Sequence, residues 1–264
     1  MGNTTSSERT DPKVRRRHAF IDETERNTAG DRWYLMCAVT VNPNSYATLE
    51  TIRDLSQIAQ RQPTTDRLHR HAIHSKEMRG SHETDLFDAE EIIAADKSMH
   101  IDVVIRRIGH TKRFEDTRQV CVTHLMTHLD SDVQMTMFDS RDPLETKTRK
   151  PKPGVDPITR HELVNHHDLA TINQLKTGGR VKADLDIVRA NDVGNPHLWI
   201  PDVVAYACGQ ALASGNPQRL TRLASRLHIS EAVTRPDSTE LAPSTGIADK
   251  LETLRHQASP KTEQ

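Results

Sequence analysis

Apolar positions along the chain follow two rhythms, one alternating and one helical. Residues 18–24 and 32–42 are short runs rich in aromatic, Ile and Val residues, joined by the turn-like ERNTAGD, which predicts two opening strands. From Asn44 to Gln60 the spacing becomes helical, with Leu49, Ile52 and Leu55–Ile58 near one face and Pro63 as a stop. LHRHAIH reads as a strand or edge piece. A helix is predicted over Glu83–Lys97, where Leu86, Phe87, Ile92 and Ile93 form the apolar side. The strand IDVVIRRI (101–108), a helix over 115–129 and the strand DVQMTMFD (132–139) follow. Residues 140–156 form a polar loop with three prolines. A helix at 157–176, a possible strand in VKADLDIVRA and a last helix at 201–214 complete the pattern. Two strands and then strands alternating with helices predict an α/β or α+β domain around a central mixed sheet. No internal repeat is visible.

Composition sets the limits of that domain. The 264 residues suffice for one large domain or two small ones, yet only 34% are hydrophobic and 28% are charged. Much of the polarity lies at the ends. Residues 1–16 read as a disordered tail, 17–230 as the folded domain and 231–264 as a flexible tail with one weak helical pattern. The alternative is two domains divided at the proline-rich stretch 143–157. Net charge is −1, with 36 basic against 37 acidic residues, so no global field draws the chain to nucleic acid. Basic runs at Arg15–Arg17 and Lys147–Lys152 can meet phosphates, although short charge runs are usually solvated. Cys37, Cys121 and Cys208 lie far apart inside apolar runs, the pattern of buried thiols in a reducing compartment. No segment approaches a membrane span, and no signal peptide is visible, so a cytoplasmic protein without a membrane partner is expected. The opening MGNTTS fits a myristoylation pattern that short polar starts match easily by chance.

Three acids change the picture. Asp22 and Glu23 close the first apolar run, where an acid is either harmless in a turn or a ligand. Asp139 closes the strand 132–139 and shares a face with Val133, Met135 and Met137, while Asp22 shares one with Phe20 and His18. Glu23 points to the opposite face if the strand is regular. Asp202 follows Pro201 at the start of a helix of small apolar residues, where the helix dipole favours its ionised form. Each acid alone has an ordinary structural explanation, and the case for a site rests on the three together.

FIDET followed by WYLMCAVTV, FDSRDP after a short strand, and LWIPDVVAYACG at a last helix resemble the domain-of-unknown-function 3800 family. Its members have a ribonuclease-H-like fold and occur in bacteria, phages and plasmids, and an actinobacterial branch is most similar. The resemblance covers roughly residues 18–214. It implies that Asp22, Asp139 and Asp202 converge on Mg²⁺ or Mn²⁺ and act in a metal-dependent nuclease or phosphodiesterase whose partner is DNA or RNA. Ribonuclease H adds a glutamate, and Glu23, Glu83, Glu90 and Glu91 are open choices here. The family's His-containing segment corresponds to His69 or to His74 with Lys76 and Glu77, and His74 or Lys76 would steady the scissile phosphate or leaving group. Arg141 is a further phosphate contact, unless it pairs with Asp142. The competing class is a non-catalytic nucleic-acid- or protein-binding accessory module of a mobile element on the same fold.

Other constellations are weaker. His124 and His128 have zinc-ligand spacing but are expected opposite the core face Val122, Leu125, Met126 and Leu129, hence exposed. HELVNHHDL lacks the HExxH order of a zinc protease, and GQALASG and TGG lack the end of a phosphate loop.

Overall fold

The structure is a computed structural model and describes residues 16–28, 31–61, 72–76, 78, 82–108, 114–139, 157–190, 192, 194–233 and 244–259. Among the described residues, six strands form one mixed sheet: β1 (Arg17–Thr28), β2 (Asp31–Val41), β3 (His100–Arg107), β4 (Val133–Asp139), β5 (Asp186–Ala190) and β6 (Leu227–Glu231). Their spatial order is β5-β4-β1-β2-β3-β6. β1, β2 and β3 run antiparallel in succession, whereas β4 lies parallel to β1, β5 to β4 and β6 to β3.

β2 shows why the sheet has two covered faces. Residues 33–39 are all buried, so this central strand carries an unbroken apolar run in place of an alternating one. Trp33, Leu35, Cys37 and Val39 join Phe20 on one face, with Tyr34, Met36 and Ala38 joining Ala19 and Ile21 on the other. Helices α1 (Tyr46–Arg61), α2 (Glu83–Ala95), α5 (Trp199–Ser214) and α6 (Ile247–Ala258) contribute to the first core. Helices α3 (Phe114–His128) and α4 (Pro157–Thr177) contribute to the second. α5 packs directly on β1 and β2. Gly209 permits the close approach, since a Cβ there would lie 3.1 Å from the Trp33 ring.

The strands and helices predicted from hydrophobic spacing are present, with one exception: of the expected strand or edge piece LHRHAIH, Ala72–His74 form no strand and residues 68–71 lie outside the described residues. The boundaries supply further corrections. β1 does not end at Asp22 but runs on to Thr28, paired with β2 in a longer hairpin. What ends near Asp22 is the pairing with β4. The possible strand at 181–190 shrinks to β5, and α5 begins at Trp199, two residues before Pro201. Pro201 is tolerated there because the first four helical N–H groups lack intrahelical partners.

The flexible tail 231–264 is the larger correction. Glu231 belongs to β6, and α6 packs Ile247, Ala248, Leu251 and Leu254 into the first core. With Ala258 these make five buried positions on α6, a faint signal among Thr, Ser, Pro and charged residues, and the stripe acquires its meaning only where a partner surface exists. The predicted tail over 1–16 (bar Arg16), the opening MGNTTS, the loop 140–156 with Arg141 and Lys147–Lys152, and His69 lie outside the described residues. Among the described residues, no helix is long and apolar enough to cross a membrane. The three cysteines are buried and free.

Candidate functional site

Register brings the first two acids together. Ile21 pairs with Phe138 across the parallel strands, so Asp22 and Asp139 are the next residues along neighbouring strands, about 5 Å apart at the backbone. Both follow residues of the α5-covered face, Phe20 and Met137. Asp202 lies in the first turn of α5, the helix laid across β1 on that face. Each of the three is half-buried, which leaves a mouth to solvent.

Sequence reasoning missed a fourth acid, Asp192. It lies just beyond β5, whose Ala190 is level with Asp139 on β4. The Asp192 carbonyl accepts from Trp199 Nε1–H at 3.0 Å and from the Asn195 N–H at 3.2 Å, which ties the residue to the start of α5. Its carboxylate Oδ2 lies 3.2 Å from His74 Nδ1. One residue on, the Ser75 N–H donates to Asp202 Oδ2 at 2.8 Å. Two successive residues of one short segment therefore meet two of the acids. Lys76 is exposed on the same segment.

The electrostatics of the group are those of crowded carboxylates. Burial holds the Asp22 carboxyl well above the usual carboxylate range, and the charges of Asp202, Asp139 and Asp192 push the same way against Arg118. Burial also raises Asp202, with Ser75 hydrogen bonds and the His74 ring opposing and Asp192 reinforcing the shift. These four acids are near enough to feel one another, and a cation would relieve them.

The glutamate candidates lie elsewhere. Glu23 sits behind the sheet, where it accepts from the Tyr34 hydroxyl and pairs with Arg118. Arg118 also grips Asp168 of α4 at 2.6 Å, and Arg189 reaches the same carboxylate at 2.5 Å. That buried network is separated from Asp22 by the sheet. Glu83 pairs with Arg219, Glu90 is buried 3.9 Å from Arg222, and Glu91 is exposed beside a groove that Phe87 and Arg222 also line. His124 corrects an expectation, because it is buried with only 6% of its surface exposed. Burial lowers its pKa to about 4, and the His128 ring stacks on it at 4.2 Å. The periodicity showed which face of α3 meets the sheet and could not show that α4 covers another.

Among the described residues, no three His, Cys, Asp or Glu side chains close into a preformed metal shell. Mg²⁺ keeps several waters and is commonly held by one or two carboxylates, so an open group of oxygen donors suits it where a zinc site would need a closed tetrahedron. No protein-family model matches the chain, and no curated protein matches it.

Proposed function

We propose that the chain is a divalent-metal-dependent nuclease or phosphodiesterase acting on nucleic acid, on a ribonuclease-H-like sheet and related to the domain-of-unknown-function 3800 family. The observation that carries the reading is the meeting of Asp22, Asp139 and Asp202, from two adjacent parallel strands and a helix start, on one half-open face. The run β3-β2-β1-β4-β5, antiparallel through β3, β2 and β1 and parallel from β1 through β5, supports the fold assignment. Mg²⁺ or Mn²⁺ bound by these carboxylates would supply an activated water and charge neutralisation at the phosphate. The chain's own groups do the rest. Asp22, Asp139 and Asp202 would hold the cation, and His74 or the exposed Lys76 would steady the scissile phosphate or the leaving group.

The test is incubation of the full chain with labelled single- and double-stranded DNA and RNA in Mg²⁺, Mn²⁺ or chelator. Metal-dependent cleavage, reduced at least about 100-fold in D22N and D139N, is expected. Binding that survives chelation, with no cleavage in either metal, would instead identify a non-catalytic accessory module.

A further inference from the structure

We propose that Arg118, Asp168 and Arg189 are positioning residues, which lock the ends of β1, β4 and β5 from behind so that Asp22 and Asp139 keep a fixed spacing on the α5-covered face. For the use made of that spacing, the inference rests on the metal-dependent reading above. The network meets all three strands beside the acids. Glu23, which pairs with Arg118, follows Asp22 on β1. Phe138, whose ring centre lies 5.3 Å from the Arg189 guanidinium, precedes Asp139 on β4. Arg189 is level with Phe138 on β5, and the next residue, Ala190, is level with Asp139. Side chains alternate along each strand, so contacts made behind the sheet set where the acids stand in front.

Two features separate this network from ordinary packing. The β1–β4 ladder ends at Ile21 and Phe138, one residue short of Asp22 and Asp139. Just past that end the two carboxylates repel, which drives the strand ends apart when no cation lies between them. The network opposes that splay with directional bonds. Arg118 donates from Nε at 3.0 Å to one oxygen of Asp168 and from a terminal nitrogen at 2.6 Å to the other, a fork that fixes direction as well as distance. Arg189 reaches the same carboxylate at 2.5 Å from β5, and the Tyr34 hydroxyl of β2 accepts from Arg118 and donates to Glu23. Replacing such buried ion pairs with apolar residues of similar volume is often neutral or stabilising, so stability alone does not account for this one.

The test uses R118M/D168L, R189M and, as a control for stability alone, L251A. R118M/D168L removes one charge of each sign, which leaves the net charge as it is, and puts apolar side chains in their place. Native-state hydrogen exchange reads the lock without metal, and calorimetric titration with Mn²⁺ reads its use. In R118M/D168L the amides of residues 20–23 and 136–139 should exchange at least about 10-fold faster, while those of 103–105 on β3 keep their rates. Mn²⁺ should bind about 10- to 100-fold more weakly, the range found when groups that orient metal ligands are removed. R189M should move both readouts the same way, although losing a positive charge would by itself favour a cation. L251A should loosen the sheet as a whole and leave Mn²⁺ affinity at the wild-type value.

Exchange that rises evenly over β1, β3 and β4, or that stays at wild-type rates, would overturn the proposal. Unchanged or tighter Mn²⁺ binding in R118M/D168L would do the same. If that double variant does not fold, R189M, altered at a side chain 20% exposed, carries both measurements. A wild type that binds no Mn²⁺ would sink the metal-dependent reading alone, and the exchange rates would still decide the lock.

Discussion

At Asp22, burial and three neighbouring carboxylates act on a single group, and the consequence is measurable without any substrate. Mg²⁺ or Mn²⁺ should raise the melting temperature by binding the folded state alone. Replacing Asp22 or Asp139 with Asn should abolish that response while relieving repulsion, so the metal-free variants should melt no lower than wild type. A surface acid with no role in a site would show neither effect, and thermal melts with and without metal decide it. Glu90 makes a separate prediction. Burial lifts its pKa from the ordinary 4.5 to about 8, so between those values the folded state holds a proton that the unfolded chain has lost. Stability contributed by this group is therefore lost as pH rises from 4.5 towards 8, by up to about 1.4 kcal/mol per pH unit. E90Q, which needs no proton to stay neutral, should be the more stable protein at pH 8 and show a flatter profile. Denaturant titrations at pH 5, 6.5 and 8 check it, and parallel profiles for the two proteins would refute the assignment.

Elements place these residues, and they also decide what a sequence reader can see. α6 illustrates the limit. Leu251 is fully buried on it, so Leu251→Ala should cost about 2–5 kcal/mol in chemical denaturation. A helix merely solvated at the end of the chain would lose less than about 0.5 kcal/mol. The signal for α6 is weak because only a stripe of small and aliphatic residues marks it, whereas β2 and α5 are nearly continuous apolar runs that no tail could carry. Asp22, Asp139 and Asp202 are legible for a related reason: each abuts a strong element whose face can be counted by period. Asp192 follows a short element, the five-residue β5, and no period extends to it. Its partner His74 lies in a segment without regular structure, so the contact depends on tertiary placement alone. Glu23 is the converse case. Alternation along β1 puts it opposite Asp22, and the Arg118 network behind the sheet is where that alternation leads.

In the whole molecule, the proline-rich stretch 143–157 divides the sequence but not the sheet. β5 and β6 both come after it, yet β5 pairs with β4 at one edge and β6 with β3 at the other. α5, also from the later half, covers β1 and β2 and brings Asp202 to the face that holds Asp22 and Asp139. A chain cut near Lys150 would leave an earlier piece with β1–β4 exposed on one face and stripped of both outer strands. The later piece would hold two short strands that never touch each other. Neither piece can close a core, because residues on both sides of the cut build each of the two cores. We therefore expect residues 1–150 and 151–264, expressed apart, to lack cooperative thermal unfolding and dispersed amide spectra. Expressed together they should associate, recover the melting transition and recover the metal response, since the candidate site draws acids from both. If residues 1–150 alone gave a sharp transition and a dispersed spectrum, the chain would be two domains meeting at the proline-rich stretch, and the shared sheet would not be the unit that folds.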